Sequence, residues 1–112
     1  MRYFALIAGL VGLMTSPVVA QDAKLVQAGK ELYAGKTCAR CHMVGGRGYK
    51  AGKLDGVAKR MSADDMRKWL TAPADMEAKL DQKPKVRMSS RKKMHLTDAD
   101  VSALVAYLMT LK

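Results

Sequence analysis

Apolar positions recur at helical spacing in three stretches of the chain. Across 22–36, Leu25, Gly29, Leu32 and Tyr33 stand at i, i+4, i+7 and i+8, which is one face of a helix. A glycine inside a helix costs about 1 kcal/mol relative to alanine. On the apolar face it lets a second backbone come close. Across 62–71, Ser62 supplies an N-cap and Asp65, three residues on, a shortened capping box. Met66, Trp69 and Leu70 form the apolar stripe, and Pro73 stops the helix. Across 97–111, Thr97 is the N-cap and Asp98 and Asp100 sit in the positive first turn. Leu96 and Val101 are spaced for a hydrophobic staple. Val101, Leu104, Val105, Leu108 and Leu111 make the stripe, with Tyr107 beside it. Between these helices lie 43–61, with five glycines, and the lysine-rich 73–96. Neither carries an alternating strand pattern of useful length, so the expectation is all-α. Loops this long are uncommon in a compact domain unless something pins them.

The first twenty residues follow another pattern. Arg2 gives one charge, positions 3–14 are uncharged and mostly apolar, and Thr15, Ser16 and Pro17 break the run. Val18 and Ala20 occupy the −3 and −1 positions of a cut before Gln21. This is a secretory signal peptide over 1–20, cleaved after Ala20, with a mature domain over 21–112. The alternative is an uncleaved anchor, but the apolar run falls short of the ~20 residues that span a bilayer. The short run and cleavage site point to export into a bacterial periplasm.

Composition adds a deficit. A chain of 112 residues is one small domain, and aromatic residues are only 5% of it. Two cysteines cannot build a disulfide scaffold. The chain's own side chains make a marginal core, and something else is expected to fill the middle.

Five consecutive residues offer that filler. Cys38-Ala39-Arg40-Cys41-His42 is C-x-x-C-H, the attachment signature of c-type haem. Two thiols three residues apart on one turn reach the two vinyl groups of a porphyrin as thioethers, and the adjacent imidazole projects at the iron. A disulfide would not need His42. A thioredoxin-like pair wants a βαβ context, which is missing. A zinc site would need both histidines of the chain, His42 and His95, and His42 directly abuts Cys41. One motif implies one haem c. A thioether sulfur is the usual closure of the second axial position in an electron carrier, and it raises the reduction potential. Of the methionines after residue 20, Met66 and Met109 read as helical packing, Met61 lies against the second helix, and Met43 is tied to His42. Met76, Met88 and Met94 remain as candidates.

These residues together resemble class I, mitochondrial-like bacterial cytochrome c. Gly29-Lys30-Glu31-Leu32-Tyr33 is similar to the G-x-x-x-[FY] of that family's first helix. Leu104-Val105-Ala106-Tyr107-Leu108 resembles the L-V-A-Y-L of its last helix, and the family crosses these two helices closely. Leu54-Asp55-Gly56-Val57 and Arg60 resemble the lead into the middle helix. The resemblance implies the class I fold: three to four helices with long loops wrapped around one covalently bound haem. Trp69 resembles a tryptophan that hydrogen-bonds a haem propionate, with plain core packing as its other reading. Two departures stand out. Where the family has Gly-Pro, with the proline carbonyl accepting from the proximal imidazole, this chain has Ala51-Gly52. Gly52 can still offer the carbonyl, from a loop without proline's fixed φ. Where the family often has Met-Pro, this chain has Met88-Ser89. Family spacing favours Met88 as the sixth ligand, with Met94 the alternative; His95, a nearby lysine and Met76 are more remote.

Charge comes last. Lys and Arg number 20 against 10 acids, and loss of Arg2 leaves 19 against 10, or +9. Lys79, Lys83, Lys85, Arg87, Arg91, Lys92 and Lys93 cluster around Met88, with Asp81 the only acid among them. A basic rim beside a redox centre steers acidic redox-partner proteins without gripping them; the plainer reading is a solvated face. Nucleic acid is excluded as a target of an exported protein, and anionic lipid offers at most a weak surface contact. The expected function is a monomeric periplasmic electron carrier. The alternatives are a cytochrome subunit of an oxidoreductase complex and, further off, a haem sensor or peroxidase-like protein with an open iron site. No catalytic triad, phosphate-cradling loop or second histidine placed as a distal base suggests an enzyme.

Overall fold

A computed structural model describes residues 17–90 and 95–112. The expected signal run over 3–14 lies outside these residues, as do Arg91, Lys92, Lys93 and the alternative ligand Met94. Within them the domain is built of α-helices, short 3-10 turns and one small hairpin.

Helix α1, Pro17–Gly35, starts earlier than its apolar period suggested. Pro17 opens it, where a fixed φ and a missing N–H are tolerated. The helix runs through the expected cut, and cleavage after Ala20 would leave Gln21–Gly35 of it. Its last helix partner is α5, Asp98–Leu108. The two cross at Gly29, which is buried. A Cβ there would run into the Ala103 carbonyl and lie 2.7 Å from Tyr107 Cβ, so glycine is the residue that permits the approach. Tyr33 and Tyr107 meet edge to face, ring centroids 5.8 Å apart, along the same seam. Leu25, expected on the buried face, is 37% exposed and marks the edge of the contact.

Helix α5 is apolar nearly all round, as a helix with neighbours on several sides must be. Ala103 and Tyr107 face α1, whereas Val101 and Val105 join Val57 and Met66 in the core. Its start is a full capping box. Thr97 Oγ1 accepts from the Asp100 N–H at 3.1 Å, and an Asp100 carboxylate oxygen accepts from the Thr97 N–H at 3.1 Å.

Two short helices were hidden in the glycine-rich and lysine-rich stretches. Helix α2, Val57–Arg60, follows Gly56 at φ 75°. The Ala58 N–H donates to the Leu111 carbonyl at 3.0 Å, tying α2 to the end of the chain. Helix α3, Ala63–Thr71, is capped as expected, with Ser62 Oγ accepting from the Asp65 N–H at 3.2 Å. Pro73 ends α3 and at once begins α4, Pro73–Ala78, inside the lysine-rich stretch expected to be loop. Proline does both because it blocks the preceding turn but suits the first position of the next helix. The strands β1, Met43–Val44, and β2, Arg47–Gly48, pair antiparallel. They are too short to show alternation, and their turn is Gly45-Gly46, both at positive φ, as a tight primed turn requires.

Candidate cofactor site

The C-x-x-C-H residues leave α1 through a sharp reversal. Thr37 adopts left-handed backbone at φ 60°, and Cys38–Arg40 form a 3-10 turn. The Cys41 and His42 N–H groups both donate to the Cys38 carbonyl, at 3.1 and 3.0 Å. The two thiols and the imidazole therefore share one tight turn, and all three side chains are half-buried.

His42 is oriented by its own ring. Nδ1 lies 3.0 Å from the Gly52 carbonyl oxygen. A carbonyl can only accept, so Nδ1 carries the proton and donates, and Nε2 keeps its lone pair. Such a bond fixes the ring of a ligating histidine and raises its basicity. Gly52 is suited to this for a steric reason: a Cβ at 52 would meet the Cys41 carbonyl. The loop lacks proline, yet hydrogen bonds hold it. The Leu54 N–H donates to the Met43 carbonyl at 2.8 Å, and the Gly45 N–H to Asp55 Oδ1 at 2.9 Å. Arg60 Nη1 donates to the Asp55 carbonyl at 2.9 Å.

Cys38, Cys41, His42, Trp69 and Met88 all line one cavity of about 830 Å³. Its walls are largely apolar, with Leu54, Val57, Leu70, Leu96, Leu104 and Leu108 among them. Of the other methionines, Met61 and Met66 also line it. Both pack in or on the core cluster, and Met66 is 2% exposed. Met88 instead heads the 3-10 turn Met88–Ser90, on the segment expected to bring the sixth ligand. Met43, Met76 and His95 do not reach this cavity; His95 is exposed and borders a smaller neighbouring one beside Met88.

Several cavity residues were not anticipated. The Tyr33 hydroxyl is buried with no hydrogen-bond partner among the described residues. Burial pushes its pKa up to about 12, with Cys38, Tyr107 and Asp55 adding to the effect. Lys36 and Arg40 line the cavity beside Lys85 and Arg87, so basic charge reaches it from the turn after α1 as well as from the lysine-rich loop. Glu77, in α4, is the acid among the lining residues and is only 5% exposed. Its carboxylate accepts from Ser89 twice, from the hydroxyl at 2.6 Å and from the N–H at 2.9 Å. The Ser89 hydroxyl and then its N–H hold this carboxyl below the ordinary range; burial opposes them, and Arg87 and the Met88 backbone assist. The signal for Glu77 was faint: an acid at the C-terminal end of a helix that was itself not foreseen.

This set fits a flat, apolar, iron-bearing macrocycle. Two thiols sit on one turn, an imidazole carries a free lone pair, and a thioether lies on another lining segment. The buried Tyr33 hydroxyl adds a polar atom without a partner among the described residues. The zinc reading has no support in the geometry: among the described residues no three His, Cys, Asp or Glu side chains gather as a metal site. No described helix is long and apolar enough to cross a membrane. No curated protein and no solved structure matches the chain. Residues 26–112 match the family model for cytochrome c, and that span, most of the chain and all of the elements that build the cavity, places the protein in the cytochrome c family.

Proposed function

We propose that the chain is a periplasmic monohaem electron carrier. Membership of the cytochrome c family implies a covalently bound haem c and a role in electron transfer. On this reading Cys38 and Cys41 would hold one haem as thioethers, and His42 and Met88 would ligate its iron. When bound, haem iron supplies a one-electron Fe(II)/Fe(III) couple whose potential the axial ligands set. The chain's own residues do the rest. Gly52 fixes the His42 tautomer, the apolar walls keep water away, and Trp69 offers a donor toward a propionate. One observation carries the reading: Cys38, Cys41, His42 and Met88, from segments far apart in sequence, line the same cavity.

The partner is expected to be an acidic redox protein. Lys85 and Arg87 are exposed, yet they line the cavity, so they stand at its rim. Lys24 and Lys30 are exposed on α1 and do not line it. Charges attract across roughly a Debye length, about 8 Å at physiological salt. Stopped-flow electron exchange with an acidic redox protein should therefore slow steeply as salt rises. Reversal of Lys85 and Arg87 should slow it far more than reversal of Lys24 and Lys30. Equal effects would show that net charge alone matters. Mass spectrometry of the purified protein should give the polypeptide from Gln21 plus one haem, and a bare polypeptide mass would end the proposal.

A further inference from the structure

We propose that Glu77 is a positioning residue for the sixth iron ligand, gripping Ser89 so that the Met88 thioether stays in place against competing ligands. The inference rests on the reading of Met88 as that ligand. Glu77 touches the loop at Ser89, the residue next to Met88. Its two carboxylate oxygens take the two donors of Ser89, N–H and hydroxyl, at 2.9 and 2.6 Å. Both oxygens are engaged, and the residue is 5% exposed. Bonds to an ionised carboxylate are roughly twice as strong as neutral ones, and burial makes their loss costly.

The grip matters because so little else holds this stretch. Among the described residues of 81–90, the backbone bond outside regular elements is that from the Ser90 N–H to the Arg87 carbonyl. It is local and cannot fix the turn to the body of the protein. Glu77 can, because α4 is joined directly to α3 through Ala72, where the Ala72 N–H donates to the Lys68 carbonyl at 2.7 Å. The contact closes a loop of twelve residues onto a helix. It also gives the Met88-Ser89 pair a physical sense. A proline at 89 would stiffen the turn but would have no N–H to donate. Serine leaves φ free and offers two donors, and the carboxylate uses both.

The test uses the ferric holoprotein and imidazole, which competes for the iron against the thioether. Binding is followed as loss of the far-red sulfur-to-iron band. When imidazole saturates, the rate reports how often Met88 lets go. Glu77→Ala should raise that rate about ten- to hundredfold, the range set by losing hydrogen bonds to a charged group. Ser89→Ala, which keeps the N–H bond, should raise it by a smaller factor, and Glu77→Gln should fall between wild type and Glu77→Ala. A purely structural Glu77 would lower the denaturation midpoint and leave the saturating rate unchanged, which would overturn the inference. If Glu77→Ala does not retain its fold, Ser89→Ala decides: an unchanged rate overturns the inference. Met88→Ala separates the two layers. If it keeps the far-red band, Met88 is not the ligand and this inference falls with that reading. If it loses the band while Glu77→Ala matches wild type, only the role of Glu77 is refuted.

Discussion

On the His42 side of the cavity, the segment from Lys36 to Val57 is laced by main-chain hydrogen bonds. The hairpin, the 3-10 turns Cys38–Arg40 and Lys50–Gly52, and the bonds from the Tyr49, Gly52 and Leu54 N–H groups leave few backbone positions unfixed. On the Met88 side, the described part of the segment after α4 is nearly bare of such bonds, and one carboxylate, Glu77, grips it through side-chain chemistry. A wall made of backbone bonds tolerates many side chains but needs glycine where chains meet, as at Gly48 and Gly52. A wall held by one side chain can be loosened by one substitution. The rigid side holds the His42 ring by its Nδ1, and on the proposed reading the sparse side would set how readily the Met88 thioether lets go.

On the haem reading the cofactor bridges the two walls, and the largest effect should come from removing it. The apolar walls of the cavity, among them Leu54, Val57, Leu70, Leu104 and Leu108, have little of the protein's own to pack against across it, and a haem would give them that contact. Cys38→Ala with Cys41→Ala, produced without haem, should show reduced helical circular dichroism and no cooperative melt. A well-folded apoprotein would mean that both walls stand by themselves, and the contrast between them would then say nothing about haem.

Two glycines sharpen the contrast at the next level. Gly29→Ala puts a methyl group into the Ala103 carbonyl at the helix crossing. Overpacking of this kind costs about 1–3 kcal/mol, and the denaturation midpoint should fall while the visible spectrum keeps its shape. Gly52→Ala meets a similar obstacle at the Cys41 carbonyl, but there the carbonyl of residue 52 must move away from His42 Nδ1. Losing that acceptor makes the imidazole a weaker donor to iron, which disfavours the ferric state. The reduction potential of Gly52→Ala should rise, and that of Gly29→Ala should not. If both variants lose only stability, the backbone wall is a scaffold and not a tuning device.

The sequence made the His42 side readable because its chemistry is contiguous. C-x-x-C-H is five neighbouring residues, and Gly29 sits inside a regular period, so its close contact with α5 could be foreseen. The Gly52 carbonyl could be named because the resemblance supplied its place. The hairpin and α2 escaped because two- and four-residue elements have no period to detect. Helix α4 escaped because a proline that ends one helix reads as the start of a loop. Glu77 was out of reach for a different reason. Its meaning comes from a contact twelve residues along the chain with a serine whose own role is visible only in three dimensions. Met88 could be favoured by spacing, but what holds it could not. The rim charge was read from the 79–93 cluster, whereas Lys36 and Arg40 reach the cavity only because Thr37 turns the chain.

The smallest expected effect probes whether the scaffold and the iron site are separable. Thr97 starts α5, two residues beyond His95, where the sparse segment rejoins the helical body. Thr97→Ala removes the oxygen that accepts from the Asp100 N–H, but Asp100 can still accept from the residue 97 N–H, so half the capping box survives. Loss of such a cap costs about 1 kcal/mol. Stability to denaturant should drop by about that amount, and Ser62→Ala at the start of α3 should behave alike. Neither change touches Glu77, Ser89 or Met88, so the far-red band and the imidazole-limited rate should match wild type. If Thr97→Ala also speeds imidazole binding, α5 is holding the Met88 segment from its far end. The sparse wall would then have two anchors, one at Glu77 and one at the cap.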